Sequence, residues 1–471
     1  MTAVAGHVIT GRTVPGLPPA DAPGLAGPPR LAEGVELLGE MRNSGFAEPP
    51  ALVRRGDGQM IQVSRLLYLV ACRIDGTRGP GAIADLVSGD LGRRLSAEQV
   101  GYLITGKLAP LGVVAGHDTG SELPTASPLL ALRARGTLLP AAAANVAGAL
   151  FRPLFYWPAV AFVIAGFGAM DYWLFLLHGV SGAYDQVLDT PADLLLVAGL
   201  TVASAMFHEC GHAAGCRYGG ARPGRIGVGI YLVWPSFFTD VTDSYRLGRA
   251  GRLRTDFGGV YFNLIFMLGL LGCYALTGYQ VVLLTIAITH LEMLEQLLPF
   301  VRFDGYFILS DLIGVPDLFA RVAPVLGTTF AKGRHTRVAA LRRPARRVIT
   351  AWVLCVIPLL VFTLGSLLLY LPEFNRSLWL SVSNAWHLVA GDIAGRQYAA
   401  AVVDAIGGAL AALSSAGSVY IAIGLTRRAA GIVKRWTAGH PRRRLIALVV
   451  ATAFAGSLAL FWTAHGQFRD W

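Results

Sequence analysis

Charge is scarce in this 471-residue sequence. Asp, Glu, Lys and Arg make up 15% of it, against 54% hydrophobic residues. Soluble domains average about 25% charged residues. Charge this sparse, gathered in a few places, leaves long uncharged stretches. It excludes an ordinary cytosolic enzyme and a disordered chain. Cysteine is scarce too. The five residues Cys72, Cys210, Cys216, Cys273 and Cys355 form no CxxC pair, and most lie in apolar runs. They read as small buried hydrophobes, which excludes a disulfide-rich secreted domain. No signal peptide is legible. Residues 1–30 are rich in Gly and Pro, lack an uninterrupted apolar core and read as a disordered tail. What remains is a mainly α polytopic membrane protein.

The charge that is present is mostly basic, 40 Lys+Arg against 29 Asp+Glu. No nucleic-acid motif accompanies it, so we expect no nucleic-acid partner. Seven apolar segments are near the ~20 residues that span a bilayer. They cover 154–177, 193–215, 256–277, 279–298, 348–371, 399–425 and 445–464. Ile226 to Phe238 is too short to span and contains Pro235, so it is expected to be a re-entrant hairpin. Basic residues cluster at 246–254, 332–347 and 427–444, while the loops at 178–192 and 372–398 are poorer in them. With seven spans and a cytoplasmic N-terminus, all three clusters fall on the cytoplasmic side of a bacterial-type plasma membrane.

Residues 31–116 differ from the rest. Ala51 to Arg55, a Gly56-Asp57-Gly58 turn and Met60 to Val63 predict a hairpin. Ser64 can cap a helix, Ala82 to Val87 suggests a second, and Ser96-Ala97-Glu98 opens a third. This is a small winged-helix-like α+β unit. With "IDGTR" at 74–78 and "LSAEQV" at 95–100, it resembles the PqqD-like peptide-recognition domains of peptide-maturation systems. The resemblance implies binding of a leader peptide as an added strand. A polar linker at 117–137 follows, then a membrane core at 138–345 and additional transmembrane helices at 346–471.

The chemistry is concentrated at His208-Glu209-Cys210-Gly211-His212, an HExxH late in the second apolar segment. Residues four apart share a helix face, so both imidazoles can reach one ion, with Glu209 beside them. A zinc ion so held would acidify a bound water whose proton Glu209 can accept. Catalytic zinc normally takes three protein ligands and keeps one position open. Cys216 is about 12 Å along the axis from His208, too far for one ion. Tyr218 stands where HExxHxxGxxH would need histidine. Asp304, in Phe303-Asp304-Gly305-Tyr306 after Pro299, reaches the same depth as the histidines by this topology. His290, Glu292 and Glu295 could orient a ligand histidine or join helices. Asp311 and Asp317 read as loop-capping residues.

HExxH in one span, with Asp-Gly after a later one, resembles the site-2 protease family of intramembrane zinc metalloproteases. "FHECGHAAGCRYGG" at 207–220 and "QLLPFVRFDGYFILSDLIGVPDL" at 296–318 carry the resemblance. So does "PSFFTDVTDSYRLGRAGRLRTDFGG" at 235–259, with Asn263 beyond. The similarity covers about 190–320 and is nearest to the putative peptide zinc metalloprotease branch. It implies one Zn²⁺ per chain on His208, His212 and Asp304, with Glu209 as base. Gln296 stands where the family usually has a substrate-positioning Asn, one methylene shorter. The implied substrate is a membrane-associated or leader-bearing peptide, and export machinery is an implied partner. Two rivals remain open: a protease releasing a membrane-tethered regulator, and a non-catalytic peptide-binding immunity or export accessory protein.

Overall fold

The computed structural model describes residues 9–10, 27–57, 59–115, 133–180, 184, 187, 190–231, 234–330, 338 and 340–464. The expected tail at 1–30 and most of the linker at 117–137 lie outside them. Among the described residues the chain is mostly helical.

The N-terminal unit has four strands in the order β1-β4-β3-β2, being Ile9–Thr10 (β1), Glu36–Glu40 (β2), Ala51–Arg54 (β3) and Met60–Val63 (β4). β3 and β4 pair antiparallel with Val53 opposite Ile61; Gly58 of the expected turn lies outside the described residues. Helices α1 (Arg65–Cys72), α2 (Pro80–Leu91) and α3 (Ala97–Leu103) cover one face of the sheet. The Ser64 hydroxyl caps α1, and Ser96 and Gln99 form a reciprocal capping box at α3. Val53, Ile61, Val70, Ile83, Val87 and Val100 fill the core. Asp75, in the "IDGTR" loop, accepts from Thr77 N at 2.9 Å, Thr77 Oγ1 at 2.8 Å and Arg78 N at 3.0 Å.

The rest of the fold begins with α4 (Ala141–Phe151). Among the described residues, six helices are long and apolar enough to cross a membrane. They comprise α5 (Trp157–Asp171) with its π-helical continuation to His178, α6 (Pro191–Tyr218) and α8 (Gly258–Thr277). The others are α12 (Arg343–Leu369), α14 (Tyr398–Thr437) and α15 (Pro441–Ala464). Large apolar side chains such as Phe162, Val361, Phe362 and Leu448 are exposed on their outer faces. The fourth expected segment, 279–298, is α9 (Val281–Leu297) with 17 residues. That is about 26 Å of helix, short of a ~30 Å hydrocarbon core. Gly278, at φ +66°, and Pro299 bracket it. The expected loop at 372–398 is instead α13 (Leu371–Ala394), paired with α14 through Asn375 and the hydroxyls of Ser415 and Ser418. Its few charges hid no loop. Its polar residues are spaced along a helix face.

Three shorter helices join these: α7 (Arg249–Asp256), α10 (Asp304–Ile313) and α11 (Val322–Phe330). The short run expected to turn back forms β6 (Ile226–Tyr231) and β7 (Trp234–Thr239), antiparallel with Ile226 opposite Thr239. A third strand, β5 (Arg133–Leu139), pairs with β6. The end of the expected linker is therefore sheet.

The N-terminal unit docks on the loops where α7 begins, α10 ends and α12 begins. Gly45 N donates to Gly314 O at 2.9 Å, Ala47 N to Ala340 O at 2.8 Å and Arg342 N to Gly45 O at 2.8 Å. Arg249 and Arg342, from two of the basic clusters, donate to the carbonyls of Asn43 and Phe46. Arg54 pairs with buried Asp243 at 3.2 Å.

Candidate functional site

The site is built where α6, α8 and α10 meet. Pro191 at the first turn starts α6, and the helix then runs 28 residues to Gly219 and Gly220. His208 and His212 therefore lie near its C-terminal end, one turn apart. α8 crosses α6 closely here. A Cβ on Gly259 would overlap the His208 Nε2 atom, so only glycine leaves room for that ring. After α9 ends at Leu297 the chain turns, with the Trp352 indole donating to Pro299 O at 2.8 Å. Asp304 then opens α10 and points back at the histidines.

His208, Glu209, His212 and Asp304 are each 0% exposed, so they lie out of reach of bulk solvent. His208 Nε2 lies 2.9 Å from Asp304 Oδ2, His212 Nε2 lies 3.4 Å from it, and the two Nε2 atoms are 3.1 Å apart. Ligand atoms about 2.0–2.2 Å from one tetrahedral ion stand about 3.3–3.5 Å apart, close to this triangle. His212 Nδ1 donates to Thr255 O at 2.8 Å, which leaves its Nε2 with a lone pair. That lone pair faces a carboxylate and a second imidazole, an arrangement a cation resolves. The three residues can thus hold a metal ion.

Glu209 sits beside the triangle. The Thr239 hydroxyl, at the end of β7, lies 2.8 Å from its Oε2 and 2.9 Å from its backbone carbonyl. Glu209 Oε1 is buried with no hydrogen-bond partner. One carboxylate oxygen is fixed and the other is open. Gln296 is buried on the last turn of α9, the helix that leads to the Asp304 turn.

Several side chains differ from expectation. His290 does not orient a ligand histidine; its Nε2 lies 2.9 Å from Asp171 Oδ1 and its Nδ1 2.9 Å from Ile286 O. The backbone of Thr255 orients His212 instead. Asp317 pairs with Arg302 at 2.9 Å, and Asp311 pairs with fully buried Arg252 at 2.9 Å. Asp317 stays a partly exposed loop carboxylate, whereas Asp311 is buried on α10, and Arg252 is more than a topology-setting charge. Thr239, Thr255 and Arg252 carry no signal of their own in the sequence, because their roles exist only once the hairpin and α7 pack on α6. The chain was compared with protein-family models, with curated proteins and with solved structures, and it matches none of them.

Proposed function

We propose that the chain is an intramembrane zinc metallopeptidase of site-2 protease type, cleaving a membrane-associated or leader-bearing peptide. The observation that carries this reading is the fully buried convergence of His208, His212 and Asp304, with Glu209 beside them, at the end of a membrane-length helix. Ionisable groups at such a place are costly, which favours a functional reason for them. Two neutral imidazoles and one carboxylate, three ligands that leave a tetrahedral ion one position open, suit zinc better than the oxygen-only preferences of magnesium or calcium. Bound there, zinc would polarise the scissile carbonyl and acidify a water.

The chain's own residues supply the rest. Thr239 holds Glu209 through Oε2, so Oε1 is the atom available to take a proton and return it to the leaving amine. Gln296, at the same end of the bundle, is assigned to substrate positioning. β7 is an edge of its three-stranded sheet and ends on Thr239. An extended substrate added along that edge would run past Glu209, which supports the hairpin as the substrate holder. The N-terminal unit is assigned to recruitment. It rests on loops that carry two basic clusters, which supports a cytoplasmic position for it in a bacterial-type plasma membrane.

The test is Glu209→Gln in the full-length, detergent-purified protein, with cleavage of a tagged single-span peptide and zinc content read together. The variant is expected to keep its zinc and lose about 10²-fold or more in cleavage rate. Unchanged cleavage would remove Glu209 from the chemistry. A zinc-free wild type would remove the metallopeptidase reading.

A further inference from the structure

A second buried charged cluster lies behind the metal-site triangle, and the proposed chemistry does not use it. Arg252, on α7, is 0% exposed. Its Nε donates to Asp311 Oδ1 at 2.9 Å. Its Nη1 donates to Leu247 O at 2.9 Å and to Arg42 O at 3.2 Å. Asp256, the last residue of α7, is buried beside this pair. All three side chains are shut away from water.

What makes the cluster more than a core ion pair is which helices it joins. α7 carries Arg252 and, one turn on, Thr255, whose carbonyl fixes His212. α10 carries Asp311 and, two turns earlier, Asp304. The Arg252–Asp311 pair therefore bridges the helix that orients one candidate ligand to the helix that supplies another. Arg42, the third contact, belongs to the N-terminal unit. We propose that Arg252 is a positioning residue of the metal site: paired with Asp311 it clamps α7 to α10, sets Asp304 against the imidazole of His212, and ties that geometry to docking of the N-terminal unit. This rests on the reading of His208, His212 and Asp304 as a metal site.

The proton inventory makes the proposal specific. Two neighbouring buried carboxyls ionise together only at high cost, so they share one proton. Asp311 faces the guanidinium, so the charge is assigned to Asp311 and the proton to Asp256. Burial, then the neighbouring Asp311 charge, push the Asp256 carboxyl well up, in keeping with this. The cluster is then neutral overall. Asparagine at 256 keeps a donor toward Asp311. Asparagine at 311 leaves Arg252 buried without a counter-charge, a far larger penalty.

The experiment measures Zn²⁺ affinity by chelator competition, and the visible absorption band with Co²⁺ in its place, on the full-length protein. Wild type is compared with Asp311→Asn, Arg252→Lys and Asp256→Asn. Outer-shell partners of metal ligands typically matter about 10–100-fold in affinity, and Asp311→Asn is expected to lose that much and to shift the cobalt band. Arg252→Lys keeps the charge but cannot reach Asp311 and both carbonyls at once, so it is expected to fall between. It also decides the matter if Asp311→Asn does not fold. Asp256→Asn is expected to stay within about 3-fold of wild type, well short of such an effect. Folded Asp311→Asn and Arg252→Lys proteins with wild-type affinity and an unshifted band would overturn the positioning role. Equal losses in Asp256→Asn and Asp311→Asn would overturn the proton assignment. A wild type that takes up neither metal would overturn the metal site itself, an outcome distinct from the other two.

Discussion

Burying a carboxylate away from bulk solvent is tolerable only where something cationic faces it, and among the described residues no Lys or Arg pairs with Asp304. Its neighbours are two imidazoles, one of them held with a lone pair inward by Thr255. Asp304→Ala should therefore lose most of its bound zinc, from about one ion per chain to well below that, because two histidines alone make an incomplete zinc site. Metal analysis of the purified variant checks this, and full zinc retention would place the third ligand elsewhere. Asp75, in the N-terminal unit, gives a different kind of prediction. Hydrogen bonds from the Thr77 amide and hydroxyl and then the Arg78 amide lower its pKa from 3.8 to about 2. A folded-state pKa below the unfolded one stabilises the fold above the unfolded value, and the gain disappears as pH falls through the folded one. The excess thermal stability of wild type over Asp75→Ala should thus be full above about pH 4 and shrink toward pH 2. A difference that stays constant over that window would mean the three bonds do not discriminate between the charged and neutral acid.

Elements were legible to the degree that their signals were local. The Gly56-Asp57-Gly58 turn between β-prone runs, the Ser64 and Ser96 caps and the HExxH face of α6 each depend on residues within one or two turns, and each can be read from the chain alone. The depth of Asp304 was legible too, since Pro299 stops one helix and Asp-Gly opens the next. Sheet partnership was not. β5 joins β6 across about ninety residues, and nothing in the run from Arg133 to Leu139 announces that partner. α13 was misread because a membrane-scale hydropathy pattern does not register a helix of mixed character. Thr239 and Thr255 act at the site through one hydroxyl and one backbone carbonyl, roles that no composition rule can single out. Helix crossing supplies a sharper test of the site than any of these. Gly259 faces His208 Nε2 with no space for a methyl group. Gly259→Ala should push the ring off the triangle and weaken zinc binding by about 10-fold or more, while local helix propensity, which favours Ala, would by itself stabilise α8. Wild-type zinc affinity in a folded Gly259→Ala protein would show that α8 does not shape the site.

At the scale of the whole molecule, the unit assigned to recruitment and the unit assigned to chemistry are joined by backbone hydrogen bonds as well as by the connecting chain. Residues 43–47 insert between the end of α10 and the start of α12, and their amides and carbonyls pair there as they would in a sheet edge. Such bonds are directional and short-ranged, so the interface should be sensitive to small displacements. Gly45 is the tightest point. A side chain there would meet the carbonyl of Ile313 and the side chains of Val315 and Ala345 at once. Gly45→Val should therefore lever the loop away from the core without touching the N-terminal unit's own core. Hydrogen exchange resolves the two effects. The amides of Ala47 and Arg342, which bond across the interface, should lose at least about tenfold in protection, equivalent to about 1.4 kcal/mol of local opening. Those of Val53 and Ile61, within the β3–β4 pair, should be unchanged. If Arg252 ties docking to the metal site, the same variant should also bind zinc more weakly, though less so than Asp311→Asn, because only the Arg42 contact is disturbed. Undocking with wild-type zinc affinity would leave the Arg252–Asp311 clamp acting on the site independently of the N-terminal unit.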